Sequence, residues 1–319
     1  MLDWDTFAAR TGLLRDETRS AADWREWTLP QLRPVRFRTH RRWRESVRAI
    51  GKLDNATRIA KLLLGSDRRF ADAVHGFMGG RSTVSAATPH LKAPVVLTVD
   101  LASFFQQVTF ARVASSLRTQ LDSDVLNWVE GCCFVDGSLP LGFRTSPRLS
   151  NIAFDSTDYD LEALSSSRGA RYTRWVDDLS FSGSGVSDEF LADVRATLRR
   201  HNWQLNERKT RFMRKSPYVL GLYVGNNADR PHLPRWMKER LRVESHFYAR
   251  FGRDHFRRDG VWPMGRLYGL VAYAWVVDPE FASKLESKLR QGEAKTAPLL
   301  PLVLPEDTRL TATNGDAWG

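Results

Sequence analysis

Residues 170–182 read ARYTRWVDDLSFS. Apolar and polar side chains alternate on both sides of Asp177-Asp178, which is the two-residue period of a β-strand. The pattern predicts a β-hairpin with the two acids at its tip. Adjacent acids usually sit in a solvated turn. This pair follows Trp175-Val176 and precedes Leu179, Ser180 and Phe181, so apolar neighbours hold it on a strand turn instead.

A second unusual acid lies upstream. The run Val95-Val96-Leu97-Thr98-Val99 predicts a strand buried on both faces, and it ends directly on Asp100, with Leu101 and Phe104-Phe105 following. A carboxylate at the end of a buried strand is costly unless it meets a cation or an opposite charge. The alternative for Asp100 is a helix N-cap after the strand. Acids from two such strands side by side make an oxygen-rich pocket suited to Mg²⁺. Two ions about 4 Å apart can activate an attacking hydroxyl and stabilise the leaving oxygen of an in-line phosphoryl displacement.

Around these strands the chain reads mostly as helix. Residues 1–32 are amphipathic and charged, 54–74 look helical, and helices are expected at 110–121, 124–133 and 187–202. Residues 139–147 (LPLGFRTSP) form a Pro/Gly loop, and Ser146-Pro147 opens a helix that runs to about Leu164. A hairpin-like segment covers 203–226. Residues 232–290 read as a basic helical bundle with an apolar stripe of Met237, Leu241, Tyr248 and Phe251, and residues 291–319 as a loose tail. Strands and helices alternate without a regular βαβ rhythm, which predicts an α+β class rather than a doubly wound sheet.

The 319 residues suffice for one large mixed domain or two to three packed subdomains, and 42% hydrophobic content excludes a disordered chain. A net charge of +11 favours a polyanionic partner, nucleic acid or an anionic membrane. The densest basic stretch is 33–52, where Val35 and Phe37 alternate with Arg36 and Arg38 as on a strand with one basic face. The adjacent Cys132 and Cys133 imply neither a disulfide framework nor a zinc site, and read as two buried thiols. The N-terminus carries acids and lacks an apolar run, and the longest apolar stretch, 267–277, is too short to span a bilayer. The expected location is cytoplasmic, with no membrane partner.

Over roughly residues 35–290 the chain resembles the reverse transcriptase family, and within it the bacterial retron-type enzymes. VVLTVDLASFF resembles the first catalytic palm motif, and LPLGFRTSPRLSN the motif that supports template and incoming nucleotide. YTRWVDDLSFSG resembles the catalytic hairpin, LNERKT the motif with a basic residue near the leaving pyrophosphate, and VLGLYVGN the turn under the primer end. The retron flavour comes from HGFMGGRSTVSAATPH and from Val219-Leu220-Gly221. Ala86 stands where that pattern carries Asn, Leu220 where it carries Thr, and Leu141 where a Gln is usual.

The resemblance implies a right-hand polymerase architecture: fingers, a palm of antiparallel sheet plus helices, and a small helical thumb. Its expected boundaries are 1–94 for the N-terminal helical region and fingers, 95–226 for the palm with finger helices inserted at about 110–138, 227–290 for the thumb and 291–319 for the tail. Asp100, Asp177 and Asp178 would hold two Mg²⁺ ions, with Mn²⁺ as a substitute and the Leu101 backbone oxygen as an extra ligand. Phe104 and Phe105 would line the nucleotide site, where Phe105 would stack under the sugar and exclude a 2′-hydroxyl; the alternative for Phe105 is a core aromatic. Arg48 and one of Arg41 or Arg42 would grip the triphosphate. Gly142 would lie at the nucleotide, Ser146 and Pro147 would contact the template, and the three together would shape the template-side loop. Lys209 would neutralise or protonate pyrophosphate, or be a surface lysine. His90 would position RNA or cap a loop, and Arg240, Arg250 and Arg253 would contact nucleic acid.

The activity implied is RNA-directed DNA polymerisation from dNTPs. A retron-type enzyme would copy a structured noncoding RNA from an RNA 2′-hydroxyl into a branched RNA–DNA hybrid (msDNA), in an anti-phage system that includes a defence effector protein. Two alternatives stand beside it: a defence-associated reverse transcriptase that is not a retron, and an RNA-binding scaffold with a vestigial site.

Overall fold

The structure is a computed structural model. It describes the backbone of residues 1–39, 42–65 and 68–295, and the side chains of all of these except 37–39 and 42–44. In chain order it contains α1 (Trp4–Thr11), α2 (Ala21–Thr28), β1 (Leu32–Thr39), β2 (Arg42–Ala49), α3 (Gly51–Leu63), α4 (Thr83–Ala87), β3 (Val96–Asp100), α5 (Phe104–Gln107), α6 (Phe110–Leu117) and α7 (Ser123–Cys133). There follow α8 (Ser146–Ser167), β4 (Arg171–Trp175), β5 (Asp178–Ser182), α9 (Asp188–Arg200), β6 (Arg211–Met213), β7 (Tyr218–Val219), β8 (Leu222–Tyr223), α10 (Arg235–Phe251), α11 (Met264–Val277) and α12 (Pro279–Ala294). The class is α+β, as expected from the sequence.

Contacts divide the chain into two compact units: Met1–Ser82 with Val95–Phe212, and Thr83–Pro94 with the chain from Met213 onward. The first holds a four-stranded sheet in the order β4-β5-β3-β6. β3 and β5 are antiparallel, with Val96 opposite Ser182 and Asp100 opposite Asp178. β4 pairs β5 from Arg171–Ser182 to Trp175–Asp178, so Val176 and Asp177 form the turn between them. One sheet face presents Leu97, Val99, Tyr172, Leu179 and Phe181, all in the core. Successive strand residues face opposite ways, which sends Asp100 and Asp178 to the other face together. α8 packs on β4 and α9, and its start carries Pro147 in the first turn, where a missing N–H costs nothing.

The same unit contains the helices α1, α2 and α7, whose Trp4, Phe7, Trp24 and Trp128 form one aromatic cluster. Asp3 caps α1, Ser20 and Asp23 form a capping box on α2, and Asp122 caps α7. β1 and β2 make a separate two-stranded ribbon from Leu32–Ala49 inward. The expected helix over 54–74 stops at Leu63, because Gly65 takes φ 99, a conformation that ends helices. The chain then runs on to a parallel bridge between Val74 and Arg174.

The described residues of the second unit are mainly helical and include β7–β8, a hairpin whose two turn residues, Leu220 and Gly221, have φ 51 and 79. α10, α11 and α12 bury Leu241, Tyr248, Leu267, Val271, Leu285 and Leu289. Of the stripe expected on α10, Leu241 and Tyr248 are core and Met237 and Phe251 lie at its margin. Cys132 and Cys133 are buried free thiols, and burial pushes Cys133 up to about 12. Among the described residues no helix is long and apolar enough to cross a membrane. Residues 296–319 of the expected tail lie outside the described residues.

Candidate active site

The site is assembled where β3 and β5 lie side by side. Their register sets Asp100 directly opposite Asp178. In antiparallel neighbours such partners have Cβ atoms about 4.5–5.5 Å apart, and like charges there repel. Asp177 follows in the turn, and its carbonyl accepts the Leu101 N–H at 3.0 Å, which ties the hairpin tip to the end of β3. Three acids from two distant stretches therefore meet at one sheet end.

The electrostatics record the crowding. The surrounding protein atoms push the Asp178 carboxyl up to about 7, and the charges of Asp177 and Asp100 push the same way, while Lys209 opposes them. Asp178 keeps an open side to solvent, so it is crowded rather than sealed. Asp100 is almost enclosed and is held by three bonds. Lys209 Nζ donates to its Oδ1 at 2.7 Å, Asn206 Nδ2 to its Oδ2 at 3.1 Å, and its carbonyl accepts the Asn206 N–H at 2.8 Å. Lys209 itself is 56% exposed, free to follow a second anion. Asn206 was missed by sequence reasoning; it sits in the LNERKT stretch, three residues before Lys209.

Among the described residues no three His, Cys, Asp or Glu side chains are already gathered into one coordination sphere. The donor set nonetheless suits a hard divalent cation, being carboxylate oxygens that repel one another with the Lys209 ammonium beside them.

Phe104 and Phe105 separate. Phe104 lies in the core against Phe154 and Trp203 at 5.9 and 5.5 Å between ring centroids. It is 3% exposed, so the expected nucleotide contact gives way to packing. Phe105 is half-buried, edge-on to Phe104 at 5.6 Å and to Phe77 at 6.5 Å. Phe77 has φ 61 and an exposed ring, a pairing no periodicity could reveal.

The 139–147 loop lies directly on β2. A Cβ at Gly142 would strike the Val47 carbonyl and come 3.5 Å from Arg48 Cα, so only glycine permits this approach. Gly142 and Arg48, both expected at the nucleotide, are thus neighbours; Arg41 falls outside the described residues. Ser146 Oγ donates to the Pro140 carbonyl at 2.6 Å and closes the loop on itself beside Pro147. Ser146 is buried, with its hydroxyl turned into the loop.

His90, in the second unit, is fully buried at the end of a short 3-10 turn. Arg240 is paired to Glu244 and lies over Trp262, Arg250 is exposed beside Phe251, and Arg253 is half-buried. Trp236 is exposed on the same helix as the core residue Tyr248.

The reverse transcriptase (RNA-dependent DNA polymerase) family matches residues 41–224. The retron Mx65 reverse transcriptase of Myxococcus xanthus is 33% identical over 252 residues, covering 70% of this chain and 56% of that protein. The retron Mx162 reverse transcriptase of the same organism is 29% identical over 247 residues, covering 65% of this chain and 49% of that protein. The retron Ec86 reverse transcriptase of Escherichia coli is 35% identical over 115 residues, 35% of each chain. The chain spans about half the length of the first two relatives.

Proposed function

Because this chain belongs to the reverse transcriptase family, we propose that it copies an RNA template into DNA at the acids of the β3–β5 junction. The observation that carries this reading is the register that sets Asp100 against Asp178 with Asp177 beside them. Divalent ions serve this family; here Asp100, Asp177, Asp178 and the Leu101 carbonyl would hold two Mg²⁺, or Mn²⁺, supplying charge neutralisation at the reacting phosphate.

The chain's own residues do the rest. Asn206 fixes the rotamer of Asp100 by holding one carboxylate oxygen and the backbone at once. Lys209 Nζ donates a hydrogen bond to Asp100 until a triphosphate arrives, then turns to the departing pyrophosphate oxygen, where it neutralises charge or gives up a proton. Phe105, braced by Phe104, presents a ring beneath the sugar and leaves no room for a 2′-hydroxyl. Gly142 lets the template-side loop lie on β2 next to Arg48, which grips the phosphates. Arg250 and Arg253 meet the nucleic-acid backbone electrostatically.

The similarity to retron enzymes extends the proposal. The template is then a structured noncoding RNA, the product a branched RNA–DNA hybrid (msDNA), and the setting an anti-phage system with an effector protein in the cytoplasm. The test is purification of the chain with its co-expressed RNA. RNase treatment should leave a discrete single-stranded DNA, and Asp177→Asn with Asp178→Asn should abolish it while RNA binding persists. Equal DNA from the mutant rejects the site. RNA bound without DNA from the parent chain favours a scaffold with a vestigial site.

A further inference from the structure

The turn that carries the acids is strained. Val176 sits at φ 60, a left-handed conformation that is an outlier for a β-branched residue. Positive φ at the first of two hairpin residues belongs to type II′ turns, whose usual occupant there is glycine. Such strain persists only where the surroundings over-determine it.

Those surroundings are a sealed polar network. Arg174 and Asp158 are both 0% exposed. Arg174 Nε donates to Asp158 Oδ1 at 2.8 Å and Nη2 to Oδ2 at 2.6 Å, a bidentate pair, and Tyr172 OH donates to the same Oδ1 at 2.8 Å. The remaining nitrogen does something else. Nη1 donates to the Val176 carbonyl and to Asn151 Oδ1, both at 3.1 Å. Asn151 Nδ2 then donates to the Gly76 carbonyl at 3.0 Å. The Arg174 carbonyl accepts the His75 N–H at 2.8 Å, which binds the 75–78 loop to the hairpin. A Cβ on Gly76 would lie 2.5 Å from Val176 N and 2.9 Å from Val176 Cγ2, so bare backbone presses on the turn.

We propose that Asn151, Arg174 and Gly76 form a clamp that holds Val176 left-handed and thereby positions Asp177 and Asp178. The proposal rests on the polymerase reading above, and it makes these three positioning residues. Asp158 fixes the guanidinium plane, α8 supplies Asn151, and the Gly76 loop closes the third side. A merely stabilising network needs no bond to the Val176 carbonyl and no contact with the turn. Here one guanidinium nitrogen bonds the Val176 carbonyl and Asn151 together.

The clamp matters because valine resists the conformation. Glycine adopts it freely, so Val176→Gly should make the clamp less necessary. The experiment compares the parent, Asn151→Ala, Val176→Gly and the double variant. It reads kcat and KM for dNTP, Mn²⁺ binding by electron paramagnetic resonance, and thermal unfolding as a folding control.

Asn151→Ala should lower kcat and weaken Mn²⁺ binding by about tenfold or more, the loss of one bond to a charged group, with KM changed less than about threefold. In the Val176→Gly background the same change should cost less than about threefold. An undiminished loss in that background overturns the clamp, as does a loss confined to KM. If Asn151→Ala fails to fold, Arg174→Lys makes the same comparison, since lysine keeps the charge beside Asp158 but cannot reach both Asn151 and Val176. A parent chain that binds Mn²⁺ and makes no DNA ends the polymerase reading, and the clamp is then judged on Mn²⁺ binding. A parent that binds no Mn²⁺ overturns both.

Discussion

Two antiparallel ribbons of the same unit are built in opposite ways, one with a pair of acids at its tip and the other with a surplus of arginine. β4–β5 holds acids at its tip, pairs five residues with five, and is buried along nearly its whole length. β1–β2 carries the densest run of arginines, pairs eight with eight, and leaves Arg33, Arg36 and Arg48 in solvent. Their ion pairs show the same contrast. Arg174–Asp158 is sealed, while Arg36–Glu45 is 65% and 76% exposed. Negative charges that must lie a fixed distance apart repel one another, so their backbone has to be held. Positive charges that meet a polyanion need only be numerous and mobile, because the partner's phosphates supply the order. Rigidity is placed where like charges must be kept together.

The largest effect that tests this contrast is on stability. Arg174→Met leaves the Asp158 carboxylate buried and uncompensated, which costs about 3–5 kcal/mol. Arg36→Met removes an exposed pair of the same chemistry, at a cost of about 0–1 kcal/mol. Urea unfolding of both variants checks the difference, and similar losses would break the contrast between ribbons.

A smaller effect sharpens it. Gly76→Ala drives a methyl group into the backbone of the Val176 turn, and overpacking of that kind costs about 1–3 kcal/mol. The same change at Gly80, where a Cβ meets nothing within 4 Å but φ is 71, should cost only the modest strain of a left-handed alanine. Thermal unfolding of the two variants should rank them in that order.

The smallest effect belongs to the basic ribbon and is electrostatic. Replacing Arg33 and Arg36 with alanine should leave folding unchanged. It should flatten the plot of log affinity for RNA against log salt by about 0.7–0.9 per cation that touches phosphate. A salt slope identical to the parent's would remove β1 from the nucleic-acid path.

Much of the palm-like sheet was legible beforehand, for local reasons. Val95–Val99 is an apolar run ended by an acid, and Ser146-Pro147 is a helix opening, so β3 and α8 appear where expected. The hairpin around Asp177-Asp178 follows from apolar and polar residues alternating on either side of the acids, broken once at Thr173-Arg174. The expected helix from 54 to 74 overran because a periodic pattern continued past Gly65, whose φ of 99 is a backbone fact. Phe104 and Phe105 look alike in the sequence; only the packing of Trp203 and Phe154 on Phe104 decides which of the two enters the core. Asp158 and Arg174 read as ordinary charges on an amphipathic helix and a strand, and nothing local announces that both are sealed together.

By itself the sequence determined the chemical ingredients: an acid ending one strand, two at a hairpin tip, a lysine motif downstream and a surplus of arginine. Periodicity and charge are local properties, and local properties survive in a linear text. Which oxygen faces which, that Asn206 and Lys209 divide Asp100 between them, and that a buried arginine grips the Val176 carbonyl, were decided by tertiary structure. These depend on contacts between residues up to 109 positions apart, and a hydrogen bond over 3 Å is set by the fold as a whole.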